Sequence, residues 1–219
     1  MRRAVFCDFD GTITQEDTFA DMLRHFVPEV APSLLDEVYG LRVPLTVGIR
    51  QLVQSIPSSR YDEVLDYIGQ AKIRAGLDEF LDFLEDEEVP FYVVSGGLTG
   101  MVSRVLGDRV QRVRAIYAPD VNLDSAYLKL TTDFESEQEL LDKVQVMALH
   151  PADDRVAIGN SLTDLRMAQE AEIVFARDRL SRYLDDRTFP YTPWESFLEV
   201  RDVLRQRWRE PQTGTRSSK

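Results

Sequence analysis

Short apolar runs rich in β-branched and aromatic residues recur at residues 4–8, 90–95, 114–118, 155–159 and 172–176. Segments with apolar residues at helical spacing separate most of them. Strands alternating with helices in this way predict an α/β fold, a doubly wound, mainly parallel, Rossmann-like sheet with helices on both faces. The gap from residue 9 to residue 89 is far longer than one crossover helix needs. Within it, Phe19, Met22, Leu23 and Phe26 share a helical face, as do Leu34, Leu35 and Val38, then Val47, Ile49, Leu52 and Val53, then Val64, Leu65 and Ile68. Pro28, Pro32, Pro44 and Pro57 punctuate these stretches. The pattern predicts a small α-helical cap over residues 15–76, inserted into a catalytic core of residues 1–14 and 77–210.

Residues 76–87, with Leu77, Phe80, Leu81 and Leu84 apolar, return the chain to the core as the helix before the second strand. A short β excursion is expected over residues 122–130, around the polar turn Asp124-Ser125. Trp194, Phe197, Leu198, Val203, Leu204 and Trp208 mark a final amphipathic helix, whose Arg201, Arg205, Arg207 and Arg209 read as a solvated face. Residues 211–219 read as a disordered tail.

A chain of 219 residues suits one α/β domain with a small inserted subdomain. No apolar stretch is long enough to span a membrane, and the run after Arg2-Arg3 is too short for a signal peptide. Cys7 is the single cysteine, so the expectation is a cytoplasmic protein without internal disulfides, monomeric or homodimeric. The 26 basic and 38 acidic residues leave a net charge of −12, which argues against nucleic-acid binding. An anionic substrate must then be drawn in by a metal and by local basic groups.

Asp8 and Asp10 end the first apolar run and lead into Gly11-Thr12. Alternation sends both carboxylates toward one crevice beyond the strand's carboxyl end, where open α/β sheets bind ligands. Two close carboxylates repel unless a cation neutralises them, and Mg²⁺, which prefers oxygen ligands, suits them. An ordinary Asp-Gly turn ending a strand in solvent is the competing reading of these residues alone.

Later segments carry more. Ser95-Gly96-Gly97 ends the second strand before a helix, either as a phosphate cradle of hydroxyl and amides or as a tight capped turn. The segment from Gly159 through Asn160 to Asp164 ends the fourth strand; its oxygens could complete a metal site, and Ser161 to Asp164 also has capping-box spacing. Lys143 is the lysine on the helix before that strand, and a surface position is its alternative. Asp17 and Arg50, within the cap, could read the far end of a substrate or belong to a solvated face.

With these segments in this order, the sequence resembles the haloacid dehalogenase superfamily of phosphatases, most specifically through Asp8-Phe9-Asp10-Gly11-Thr12. A helical cap directly after that motif resembles the phosphoserine phosphatase-like branch. Residues 56–59, 90–97 and 175–178 are similar to the methionine-salvage phosphatases within it. The resemblance implies a Mg²⁺-dependent phosphatase acting on a small phosphorylated metabolite; a phosphatase or phosphotransferase for phosphoserine or another metabolite, and a catalytically weak phosphate-binding regulatory protein, are the alternatives. In that reading Asp8 is the nucleophile and Asp10 the general acid and base. Thr12, Ser95, Gly96, Gly97 and Lys143 bind phosphate, Asp8, Asp10, Asn160 and Asp164 form the metal site, and Asp17 and Arg50 set specificity. Such enzymes usually carry aspartate where this chain has Asn160, which removes one negative charge, and residues 131–142 lack the cysteines of some salvage phosphatases.

Overall fold

The computed structural model describes residues 1–137 and 139–209; the tail expected at 211–219 lies outside the described residues. The central strand β1 (Arg3–Cys7) carries an unbroken run of apolar residues, as a strand covered on both faces requires. It is flanked in parallel by β2 (Phe91–Val94) and, far along the chain, by β6 (Asp154–Gly159), so that Val5 lies opposite Phe91 on one side and Val156 on the other. Outside these lie β3 (Ala115–Tyr117), beside β2, and β7 (Ile173–Ala176), beside β6. A further strand, β8 (Thr192–Pro193), makes the order β3-β2-β1-β6-β7-β8. The periodicity did not predict β8, because two residues, one of them proline, leave no alternation to read; an edge is also where a sheet tolerates proline.

Side chains alternate across this sheet. Val5, Cys7, Val93 and Ile158 enter one core layer, where α5 (Leu77–Asp86) and α10 (Phe197–Arg209) supply Phe80 and Phe197, stacked at 5.4 Å between ring centroids. Phe6, Tyr92, Val94 and Ala157 enter the opposite layer with Val146 of α7 (Lys143–Leu149) and Met167 of α8 (Leu165–Gln169). The helix after β2, α6 (Thr99–Leu106), adds Met101 and Val102 to the first layer, and α9 (Asp178–Asp185) packs Leu180 beside α8. This two-sided covering is the doubly wound arrangement that the apolar pattern predicts. The β excursion is a separate antiparallel pair, β4 (Asp120–Asn122) and β5 (Lys129–Thr131).

Between β1 and β2 the chain runs through α1 (Thr18–Phe26), α2 (Ala31–Tyr39), α3 (Leu45–Val53) and α4 (Tyr61–Ile68). Their apolar stripes, among them Met22, Leu23, Leu35, Leu52 and Val64, are buried in the same cluster as the first core layer. The outgoing and returning connections meet in an antiparallel bridge between Thr14 and Ile73, and the Gln15 amide donates to the Lys72 carbonyl at 2.9 Å.

Candidate active site

The ends of three strands, β1, β2 and β6, and the start of α7 supply the site. After Cys7 the chain enters a wide turn over Phe9–Ile13, in which Gly11 adopts φ +72°. A Cβ at Gly11 would lie 2.2 Å from the Asn160 amide nitrogen, so glycine is required both by the backbone and by the close approach of the loop after β6. Asp8 is buried; one of its oxygens accepts from Lys143 Nζ at 2.6 Å and the other from Thr12 Oγ1 at 3.2 Å. Lys143 Nζ also donates to Asp164 Oδ1 at 2.6 Å, and only 1% of the lysine is exposed.

Lys143 is the first residue of α7, capped by Asp142, whose side chain accepts from the amides of Val144 and Gln145. Far from lying on a surface, it links two carboxylates behind the cleft. Burial alone would depress its pKa, but the charges of Asp164 and Asp8 outweigh that and push it up. Burial raises the Asp8 carboxyl, Asp164 adds to the rise, and Lys143 opposes it.

Asp164 is fully buried. Its second oxygen accepts from the Asn160 and Ser161 amides, each at 2.9 Å, and the expected capping box forms. Gly159 makes this possible, since a Cβ there would stand 2.6 Å from the Asp164 carboxyl carbon. Asp164 therefore holds Lys143 and the Asn160 loop in place, with both oxygens already engaged.

Asp10 faces the other way. Its Oδ1 accepts from Thr18 Oγ1 and from the Phe19 amide, the latter at 3.0 Å, at the start of α1. Ser95 Oγ lies 3.4 Å from Oδ2, and a Cβ on Gly97 would come within 2.9 Å of the same oxygen. Burial first, and then the negative charge of Asp17, raise the Asp10 carboxyl to about 7. Ser95 is fully buried and accepts from the Gly97 amide at 3.0 Å, whereas a Cβ at Gly96 would meet nothing within 4 Å.

These groups border a cleft of about 120 Å³. Asp8, Asp10, Gly96, Gly97 and Asn160 line its floor, while Phe19, Leu45 and Ile49 from the helices and Leu140 from the core form an apolar wall. Thr12, Ser95, Lys143 and Asp164 stand behind this lining. Asp17 reaches the cleft, capping α1 through the Ala20 amide and accepting from Tyr39 Oη at 3.1 Å. Arg50 is not brought to it: its guanidinium pairs with Glu135 and donates to the Leu130 carbonyl at 3.1 Å. Helical periodicity could not give that placement, because it ranks buried faces but does not say what an exposed face meets.

The residues present fit magnesium. Asn160 Oδ1 is buried without a hydrogen-bond partner, beside carboxylates that face the same cleft. Among the described residues no three carboxylate, imidazole or thiol groups cluster as a chelate. The orphaned Asn160 oxygen and the carboxylates beside it match an ion that takes one or two carboxylates and leaves its other positions to water and substrate phosphate.

Two groups escaped the sequence reading. Thr18 orients Asp10, and Arg74, 8% exposed, donates to the carbonyls of Gly11 and Thr12 at 2.8 Å each. The one signal for Arg74 was a cation just ahead of Gly76, where the chain re-enters the core.

Residues 5–169 match the family model described as haloacid dehalogenase-like hydrolase. The chain is 43% identical over 206 residues to a 2-hydroxy-3-keto-5-methylthiopentenyl-1-phosphate phosphatase of Microcystis aeruginosa, covering 93% of this chain and 98% of the relative. A Bacillus cereus protein of the same name is 31% identical over 213 residues, covering 94% and 97%. In fold, the chain is similar to a substrate-bound phosphoserine phosphatase, with a TM-score of 0.69 at 16% identity over 94% of this chain and 98% of that one. A phosphoserine phosphohydrolase-like protein from Francisella tularensis gives 0.71 at 16% identity, over 93% and 100%.

Proposed function

This chain belongs to the haloacid dehalogenase-like hydrolases and is a phosphatase of that type, and from that premise we propose that it hydrolyses 2-hydroxy-3-keto-5-methylthiopentenyl-1-phosphate, or a close thioether analogue, through an aspartyl phosphate on Asp8. The observation that carries the chemistry is Lys143, buried between Asp8 and Asp164 at the carboxyl end of the sheet. It fixes one Asp8 oxygen and leaves the other, held only by Thr12 at 3.2 Å, to attack phosphorus. As the new P–O bond forms, the ester P–O bond breaks and the leaving oxygen takes a proton. Asp10, with its carboxyl near 7, is matched to donate that proton. It then accepts one from the water that attacks phosphorus and releases phosphate from Asp8. The Gly96 and Gly97 amides, backed by Ser95, would cradle the transferred oxygens.

Asp8 and Asn160 would hold magnesium, with Asp164 anchoring the Asn160 loop and the Asp10 carboxyl left free to carry its proton; when bound, the ion neutralises phosphoryl charge. In this reading the core comprises residues 1–14 and 77–210, and residues 15–76 form a cap that selects the leaving group. Support for the thioether substrate comes from the 43% identity over nearly the full chain and from the apolar wall. Phosphoserine is the second reading, suggested by the fold. Among the described residues the cleft lining contains no lysine or arginine to meet a free carboxylate, which speaks against it. A cytoplasmic enzyme, monomeric or homodimeric, with a small metabolite as its partner completes the reading; no described helix is long and apolar enough to cross a membrane.

Turnover of this thioether phosphate, phosphoserine and p-nitrophenyl phosphate, with and without Mg²⁺, tests the proposal. The expected order in kcat/KM places the thioether substrate first and phosphoserine last. Faster turnover of phosphoserine would overturn the substrate, and no hydrolysis of any ester would overturn the enzyme in favour of a phosphate-binding protein.

A further inference from the structure

Arg74 stands on the connection that returns from the four helices to the core, yet its side chain reaches back into the turn that carries the two aspartates. Its main-chain amide donates to the Ile13 carbonyl at 2.8 Å, beside the Thr14–Ile73 bridge. Its Nε donates to the Thr12 carbonyl at 2.8 Å, and its Nη2 to the carbonyls of Gly11 at 2.8 Å and Thr14 at 3.1 Å. Longer contacts reach the carbonyls of Gln15 and Glu195, both at 3.4 Å. Every one of these partners is a main-chain oxygen. The guanidinium also lies over the ring of Trp194, with Cζ 5.3 Å from the centroid.

A buried guanidinium spent entirely on carbonyls does not belong to an ordinary ion pair. Its planar fork reaches several acceptors in one fixed arrangement, which a lysine ammonium on a flexible stem cannot reproduce. The acceptors are the peptide groups of the turn itself. Gly11 sits at φ +72° directly after Asp10, and Thr12 holds Asp8 through its hydroxyl. Any twist of the two connections displaces Arg74, and with it the backbone that directly follows the nucleophile and the acid.

We infer that Arg74 is a positioning residue that ties the orientation of the helical insert to the geometry of Asp8 and Asp10. This rests on the aspartyl-phosphate reading of the site. Because the link acts on reacting groups and not on the wall of the cleft, its loss appears in kcat more than in KM.

The test compares wild type, Arg74→Lys and Arg74→Ala on p-nitrophenyl phosphate with Mg²⁺, with rates normalised to folded protein by circular dichroism. Arg74→Lys should keep its fold and a KM within about threefold of wild type while kcat falls by about thirtyfold or more. Added guanidinium should recover part of the Arg74→Ala loss. Hydrogen exchange, which needs no activity, should rise over residues 9–15 in Arg74→Lys and little elsewhere. Unchanged exchange in that segment, or a Lys variant that keeps wild-type kcat or changes only KM, would overturn the inference. A wild type that hydrolyses no ester would instead defeat the phosphatase reading, and exchange alone would then decide whether Arg74 braces the turn.

Discussion

Replacing Lys143 with methionine should be among the most damaging single changes in the core, for a reason that depends on pH. The residue is 1% exposed and its ammonium lies 2.6 Å from both Asp8 and Asp164. Methionine keeps most of the stem but leaves two carboxylates facing each other without a cation. Removing one partner of a buried ion pair typically costs about 3–5 kcal/mol. For a chain of this size, each kcal/mol moves the melting temperature by about 2–4 °C, so a fall of about 6–20 °C is expected near neutral pH.

Burial already raises the Asp8 carboxyl, and without the opposing lysine its folded pKa stands further above the unfolded one, so the folded state binds the extra proton and stability rises as pH falls. The deficit should therefore shrink toward pH 5. Adding Asp8→Asn and Asp164→Asn to Lys143→Met removes the bare charges and should restore much of the lost stability, though not activity. Thermal melts of the variants from pH 5 to 8 measure this, with exposed Lys129→Ala expected within about 0.5 kcal/mol of wild type. A Lys143→Met loss below about 1 kcal/mol, as for surface pairs, or one that does not change with pH, would refute the reasoning.

Asp17→Ala should lose a helix cap, about 1 kcal/mol in a denaturant titration, and shift relative rates among phosphate esters, whereas Arg50→Ala should leave those rates in proportion. Parallel losses on every substrate for Asp17→Ala would place that residue in the reaction centre or in folding. Asn160→Asp adds the carboxylate that the orphaned amide oxygen lacks, so calorimetry should show tighter Mg²⁺ binding and the half-saturating Mg²⁺ for activity should fall, unless the new group is protonated beside Asp8. Weaker or unchanged binding would mean that Asn160 does not face the ion. Gly159→Ala drives a methyl group into the Asp164 carboxyl and should cost about 1–3 kcal/mol by chemical denaturation; a neutral result would show that this packing relaxes freely.

The features legible in the sequence were those with a short-range signature. A run such as Ala4 to Cys7 can only be a buried strand if both faces are covered, and a carboxylate at its end has one crevice to enter. Lys143 was legible by position, although its burial between two carboxylates was not: that depends on Asp8 and Asp164 arriving from strands adjacent in space but distant in sequence. Arg74 gave almost no signal, because its acceptors are peptide carbonyls near residue 12, and carbonyls carry no residue identity. The ion pair of Arg50 was not legible for the converse reason: an exposed cation on a helix does not reveal whether it faces a cleft or a carboxylate such as Glu135. The short β8 lies below the length at which alternation can be seen.

The central claim is a covalent bond between Asp8 and the phosphoryl group. A single turnover of an ester carrying labelled phosphate, quenched in acid within milliseconds and digested, places the label on a peptide. An acyl phosphate is expected on the peptide containing Asp8, discharged by hydroxylamine, and absent from an Asp8→Asn variant that melts like wild type and retains less than about a tenth of its rate. Label on another residue, or an Asp8→Asn variant that still turns over near the wild-type rate, would contradict it.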